Sequence, residues 1–275
     1  MKKKIALYPF LALFLFLGCS KDAENPSSSS ASVDKSANLL TTGASANDIL
    51  SSNTFDKLLI EIAYVSGFQP TVDAIDTLEE FIKARTFKEE VEFKYTPLSS
   101  PNEETLTLNE VAELERDNRT AYNNGSTMAI YIYFADAPAD SDDESENLVT
   151  LGAVYRNTSM IIYEPTLRDL ASRSTVISVA DLEAATLNHE FGHLLGLVNL
   201  GTDPVHPEHE DTEIDENDVE TGNNHCNVDG CLMRAELQFG GPMMKAMQSN
   251  VSKGLTTVPQ LDAECLLDLQ NNGGR

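Results

Sequence analysis

An α+β domain is the fold class the sequence predicts, and three observations predict it. Segments rich in β-branched and aromatic residues recur between Leu58 and Tyr163, with the strand signal. Segments with apolar residues at helical spacing alternate with them. The two kinds mix without a strict strand–helix–strand rhythm and without an internal repeat, which favours α+β, or α/β only in a loose sense.

Leu58 to Val65 is rich in Leu and Ile and reads as a buried strand, ended by Gly67, Gln69 and Pro70. From Asp73 to Arg85, Ala74, Ile75, Leu78, Phe81 and Ile82 fall at helical intervals opposite a charged face. Val91 to Tyr95 alternates as a strand. Leu108 to Arg119 reads as a second helix with Asn109 as a possible cap. Met128 to Phe134 is a strong strand. Leu148 to Tyr155 and Ser159 to Tyr163 are two more, joined by a turn at Arg156-Asn157-Thr158. Ser178 opens the central helix with a capping box closed by Asp181. Gly196, Asn199 and Gly201 supply its end.

The N-terminus has a different character. Lys2, Lys3 and Lys4 precede an apolar run from Ile5 to Leu17, too short for a comfortable membrane span. The run ends in Phe16-Leu17-Gly18-Cys19, which resembles the lipobox of bacterial lipoproteins. That resemblance implies a signal peptide over 1–18 and a lipid on Cys19; an ordinary signal peptide cut nearby is the other reading. Ser20-Lys21-Asp22-Ala23-Glu24 is similar to the acidic surface-export tags of some Gram-negative bacteria, which implies an outer-membrane, surface-exposed location. Residues 19–52, rich in Ser, Ala and Asn, read as a flexible tether. Residues 53–275 remain for one catalytic-sized domain.

The formal net charge is −25, which excludes nucleic acid as a partner, since phosphate binding needs Lys and Arg clusters. The acidity concentrates in Asp136–Glu146 and Glu208–Glu220 and reads as two solvated loops. Neither has EF-hand spacing, so calcium is not assigned.

The chemistry lies further on. His189 and His193 are four apart, so a helix places both imidazoles on one face, one turn from each other. Two neutral imidazoles at that spacing can share a tetrahedral zinc. Glu190, beside the first, can act as general base on metal-activated water and pass the proton to a leaving amine. All five His of the chain fall between 189 and 225, as expected of a site that gathers imidazole.

The stretch from His189 to Val198, with Gly196 after the two His, resembles the metzincin zinc-peptidase pattern. His225-Cys226-Asn227-Val228-Asp229-Gly230-Cys231-Leu232-Met233 resembles the archaemetzincin segment, in which a ligand His precedes a Cys, four residues intervene and Cys-x-Met follows. The likeness covers about a sixth of the chain. It implies a metzincin-like zincin: a mixed sheet, an active-site helix, a smaller C-terminal subdomain, and zinc on His189, His193 and His225 above a turn at Met233. It also implies a protein or peptide substrate, with an edge strand of the cleft, here Leu151 to Tyr155, available to pair with it; an ordinary interior strand is the alternative. Two departures stand out. Asn199 occupies the usual place of the third His, so His225 follows an acidic insertion, with His209 its main competitor and His206 a distant one. Archaemetzincins complete another zinc site with a second Cys pair; only Cys265 remains here, so a second zinc is not carried over.

Cys226, Cys231 and Cys265 leave two pairings open in an oxidising envelope, Cys226–Cys231 or Cys231–Cys265. The expected function is a zinc-dependent endopeptidase at the cell envelope. A catalytically inactive metzincin-fold lipoprotein and a metal-scavenging surface lipoprotein using residues 203–225 are the rival readings.

Overall fold

The computed structural model describes residues 34–143, 149–214 and 218–275. The expected signal peptide, Cys19, most of the tether and parts of both acidic runs lie outside the described residues. In chain order the elements are α1 (Ala46–Leu50), β1 (Lys57–Val65), α2 (Val72–Arg85), β2 (Glu90–Leu98), α3 (Leu108–Asn118), β3 (Thr127–Ala135), β4 (Gly152–Arg156) and β5 (Ser159–Tyr163). There follow α4 (Glu164–Ser172), α5 (Val179–Leu194), β6 (Glu210–Ile214), β7 (Glu220–Cys226), α6 (Gly240–Ser252) and α7 (Ala263–Asn271).

The five-stranded sheet runs β2-β1-β3-β5-β4. β1 pairs parallel with β2 and β3, β3 pairs parallel with β5, and β4 alone is antiparallel. The fold is thus mixed α/β with a mostly parallel sheet. This sharpens the sequence reading, which saw no regular strand–helix alternation: β1-α2-β2-α3-β3 is such an alternation. Its signature was the near-continuous apolar run of β3, which strands acquire when both faces are covered. One face carries α2 and α5, with Ile60, Ile62, Ile130 and Ile132 packed against Leu78, Ile82 and Leu187. The other face carries α3, with Val111 in the same cluster as Tyr131 and Tyr133.

Three local expectations change. The segment read as tether up to residue 52 joins the folded unit from Ser36 onward. Ile49 and Leu50 of α1 are fully buried. Asn38, also buried, donates to Asn123 Oδ1 at 2.8 Å and to the Ala129 carbonyl at 3.0 Å. Average composition hides a few residues that find partners far along the chain. α3 is capped by Thr107, not Asn109: the Glu110 N–H donates to Thr107 Oγ1 and the Thr107 N–H to Glu110 Oε2. The second acidic run includes an antiparallel hairpin, β6–β7, where a solvated loop was expected. Among the described residues no helix is long and apolar enough to cross a membrane.

Candidate metal centre

α5 begins with the capping box read from the sequence: Asp181 N–H donates to Ser178 Oγ at 3.1 Å, and Ser178 N–H to Asp181 Oδ2 at 2.9 Å. Its other end is a Schellman turn. Gly196 N–H bonds the His193 carbonyl and Leu197 N–H the Gly192 carbonyl, with Gly196 at φ +71°. A Cβ on Gly196 would stand 2.7 Å from Ala46 Cβ, so α1 also requires glycine there. Between these ends His189 and His193 face the same side, their ring centroids 5.0 Å apart.

The third imidazole arrives from β7. His225 stacks on His189 at 5.7 Å and meets His193 edge-on at 4.9 Å. One ring nitrogen from each of the three lies within 4.8 Å of the others. His189 Nδ1–H donates to the Leu232 carbonyl at 2.7 Å, and His225 Nδ1–H to the Asn223 carbonyl at 2.8 Å. These bonds fix the tautomers and leave both Nε2 lone pairs free. His189 Nε2, His193 Nδ1 and His225 Nε2 are buried and have no hydrogen-bond partner. Burial, with neighbouring His225, holds His189 down to about 4; burial keeps His193 far below the usual histidine value and lowers His225. Three neutral imidazoles with unpartnered buried nitrogens fit a divalent cation, and a three-His set leaves one tetrahedral position open.

Glu190 is buried beside this group, and burial pushes its carboxyl up to about 8, opposed by a hydrogen bond from the Val154 backbone. Glu190, His193 and His225 open on a cleft of ≈ 610 Å³ whose wall includes Gly152, Ala153 and Val154. Those three belong to β4, the terminal strand of the sheet, so the segment expected as a cleft edge does lie at an edge. A Cβ on Gly152 would stand 3.0 Å from Glu190 Cγ, so glycine lets β4 approach α5 closely. Met233 sits against the helix between the two His: a Cβ on Gly192 would fall 2.3 Å from its sulfur.

His206 and His209 lie elsewhere. His206 is exposed and bonds Glu264 at 2.5 Å. His209 bonds Asp268 through Nδ1 at 2.9 Å, and its Nε2 stands 3.1 Å from Cys226 Sγ. Asn199, where the resemblance places a His, is left-handed at φ +65° and donates to Glu210 Oε2 at 3.0 Å. Glu210 Oε1 accepts from Asn224 N–H at 2.9 Å, so this residue ties the exit of α5 to the strand that delivers His225.

A second donor group was missed from sequence. His209, Cys226, Asp262 and Cys265 also offer ligand atoms within 4.8 Å of one another. Counting cysteines had argued against a second metal; the fold adds Asp262, three residues before Cys265, and His209, 56 residues before it. None of the three cysteines of the domain is disulfide-bonded, and Cys231 and Cys265, one of the expected pairs, stand 3.7 Å apart, well beyond an S–S bond.

No family model matches the chain, and no curated protein matches it. Solved structures do. The crystal structure of an archaemetzincin from Methanopyrus kandleri aligns over 80% of this chain and 96% of that one, at 14% identity and a TM-score of 0.44. A structure described as a chaperone–substrate complex aligns over 80% of this chain and 34% of that one, at 12% identity and a TM-score of 0.35. The likeness is one of fold only.

Proposed function

We propose that this chain is a zinc-dependent endopeptidase of the metzincin type, resembling the archaemetzincins. The observation that carries the reading is the group of three buried, unpartnered imidazole nitrogens beside Glu190 on a cleft edged by β4. His189, His193 and His225 would hold the ion. A zinc held there supplies a Lewis acid that acidifies water and polarises a peptide carbonyl. Glu190 accepts the proton of the attacking water and returns it to the leaving amine. β4 presents an extended edge for a peptide backbone, and Gly152 and Ala153 leave room above it. Met233 keeps the α5 backbone from shifting under the ligands.

The test is metal and activity together. The full chain loses hydrolysis of an unfolded protein substrate on chelation and regains it with zinc. His225→Ala loses one zinc and the activity. Full activity in the zinc-free protein would overturn the reading.

The location completes the proposal: a lipid on Cys19 anchors the domain to a bacterial outer membrane, with protein or peptide outside as substrate. Cys19→Ser should move the protein out of the membrane fraction; salt-resistant retention would count against it.

A further inference from the structure

We infer that the cleft selects polycationic substrates, extended peptides rich in Lys and Arg, and that the two acidic runs of the chain are its selecting wall. The inference deepens the peptidase reading and rests on it, because this is the cleft on which Glu190, His193 and His225 open.

The runs lie far apart in sequence, and the fold brings both to this cleft. The first supplies Ser141 and Asp143 to its wall, just before β4. The second enters the β6–β7 hairpin, which ends in the cleft residues Asn223, Asn224 and His225. Burial lowers His225; after the Asn223 hydrogen bond, the carboxylates of Asp211, Glu213 and Glu236 pull the other way, so their field reaches the three-His group. Asp143 and Glu213 are exposed to solvent and to anything that enters from it.

Opposing charge is missing here. The chain has no Lys or Arg between Arg119 and Arg156, nor between Arg173 and Arg234. Those two windows hold β4, Glu190, the three imidazoles and both acidic runs. Among the described residues that line the cleft there is no Lys or Arg. The cations that bound the windows are engaged. Arg156, at the end of β4, donates to Glu115 Oε2 of α3 at 2.7 Å. Arg234 stands 3.1 Å from Glu236 and 3.6 Å from Asp211.

A run of like charge is ordinarily a solvated face. Position sets these two apart: the buried, unpartnered nitrogens of His193 and His225 open on the same cleft, so a ligand that reaches them passes the acidic wall. The spread of the charge then says what kind of ligand. Calcium takes six to eight oxygens around one point. Among the described residues no three of these carboxylates gather within 4.8 Å. Charges spread along a wall match a ligand whose own charges are spread along its length. A cleft lined by one sign also focuses its field and raises association rates by about 10–10³-fold. Pairing with the β4 edge uses backbone and has little side-chain preference, which leaves charge to choose among peptides.

Binding and cutting are measured separately. The zinc-loaded full chain carrying Glu190→Gln is titrated into a fluorescent Lys-rich peptide and into twins with Gln or Glu at the Lys positions, and anisotropy gives Kd. The Lys peptide should bind at least about tenfold more tightly than the Gln twin, and the Glu twin more weakly still. The preference should shrink as ionic strength rises from about 0.01 to 0.15 M and the screening length falls from roughly 30 to 8 Å. Asp143→Asn with Glu213→Gln should remove most of it. Asp76→Asn with Glu80→Gln changes the net charge equally, on exposed positions of α2, which supplies no cleft residue; it should leave the preference standing. Equal loss in both double variants would trace the attraction to the charge of the whole molecule and overturn the inference, as would equal Kd for the three peptides. Calcium that displaces the Lys peptide at constant ionic strength would reassign the acids to an ion and overturn it too. The unaltered chain, given the same peptides, should cut the Lys peptide fastest. If it cuts none while the binding preference holds, the peptidase reading fails and the selecting wall stands; if it cuts all three alike, the reverse is true.

Discussion

The two donor groups of this protein adjoin at His225 and Cys226, yet they are built for different work. The first has three neutral imidazoles, no internal charge, unpartnered lone pairs and a cleft at its mouth. The second has thiols, a carboxylate and an imidazole already bonded to a buried acid. Three neutral donors leave an ion its charge and an open position, which suits catalysis; four donors, three of them anionic when bound, quench the charge and suit structure. The supports differ too. Two imidazoles and Glu190 stand on one 16-residue helix, α5, whereas the second group is assembled from a 3-10 turn, a strand end and the start of α7. Damage to α5 should therefore fall on the first group and spare the second.

The largest effect is expected from Glu190→Gln. It removes the base and leaves all seven donors of both groups. Metal at the three-His group should remain, and hydrolysis of an unfolded protein should fall about 10²–10⁴-fold. Undiminished turnover would end the catalytic assignment and with it the contrast in chemistry between the two donor groups.

Gly192→Ala comes next. The new methyl would meet Met233 sulfur at 2.3 Å and its Cε at 3.0 Å. Overpacking of this kind costs about 1–3 kcal/mol, partly offset by roughly 1 kcal/mol of better helix propensity. Denaturant midpoints should drop modestly, and zinc competition should show weaker binding at the three-His group. Unchanged zinc affinity would mean that Met233 is no floor to the site.

That same contrast explains what could be read in advance. The α5 group was legible because helix periodicity fixes which side chains share a face, and because Ser178 and Asp181 announce the helix start. β1, β3 and β5 were legible as apolar runs. The second group was not, because only tertiary structure brings His209 and Cys226 to Asp262 and Cys265 at the start of α7. The parallel order of the sheet was hidden for a related reason: α2 and α3 were read as helices, but nothing local says that a helix is a crossover. α4 escaped because Glu164 and Pro165 look like a turn, whereas Pro at the first helical positions is favourable. The role of Asn199 needed Glu210 beside it before it meant anything.

A third variant probes the flank of α5 away from both metals. Glu164 of α4 meets Glu183 of α5 with both carboxyls buried. Burial, then the charge of Glu183, pushes Glu164 up to about 9 from 4.5, so Glu164 keeps its proton at neutral pH. The folded state binds that proton more tightly than the unfolded one. Stability from this pair is therefore fully present below about pH 4.5 and is lost as pH rises towards 9. Glu164→Gln should flatten the decline and make the protein more stable than the parent in mild alkali, since the amide oxygen can still accept from Arg168 Nε, now at 2.7 Å from Glu164 Oε1. Urea unfolding from pH 5 to 9 measures it; parallel curves for the two proteins would show that Glu164 is ionised at neutral pH.

The smallest effect is expected at the start of α5. Ser178 Oγ accepts from Asp181 N–H at 3.1 Å and donates to Asp181 Oδ2 at 2.6 Å. Ser178→Ala removes the hydroxyl half of the box, a loss of about 1 kcal/mol. The other half survives, because Ser178 N–H to Asp181 Oδ2 uses only backbone on the altered side, and the Asp181 carboxylate still faces the positive end of the helix. For a domain of this size the melting temperature should fall by about 2–4 °C. His189 lies about three turns further on, beyond the reach of a frayed first turn. Zinc stoichiometry and turnover should therefore be unchanged. A double-mutant cycle with Asp181→Ala separates the box from its parts, and its coupling energy should be a fraction of the single losses. If zinc at the three-His group falls along with the melting temperature, α5 opens as one cooperative unit, and the metal-binding half of the helix then depends on its cap.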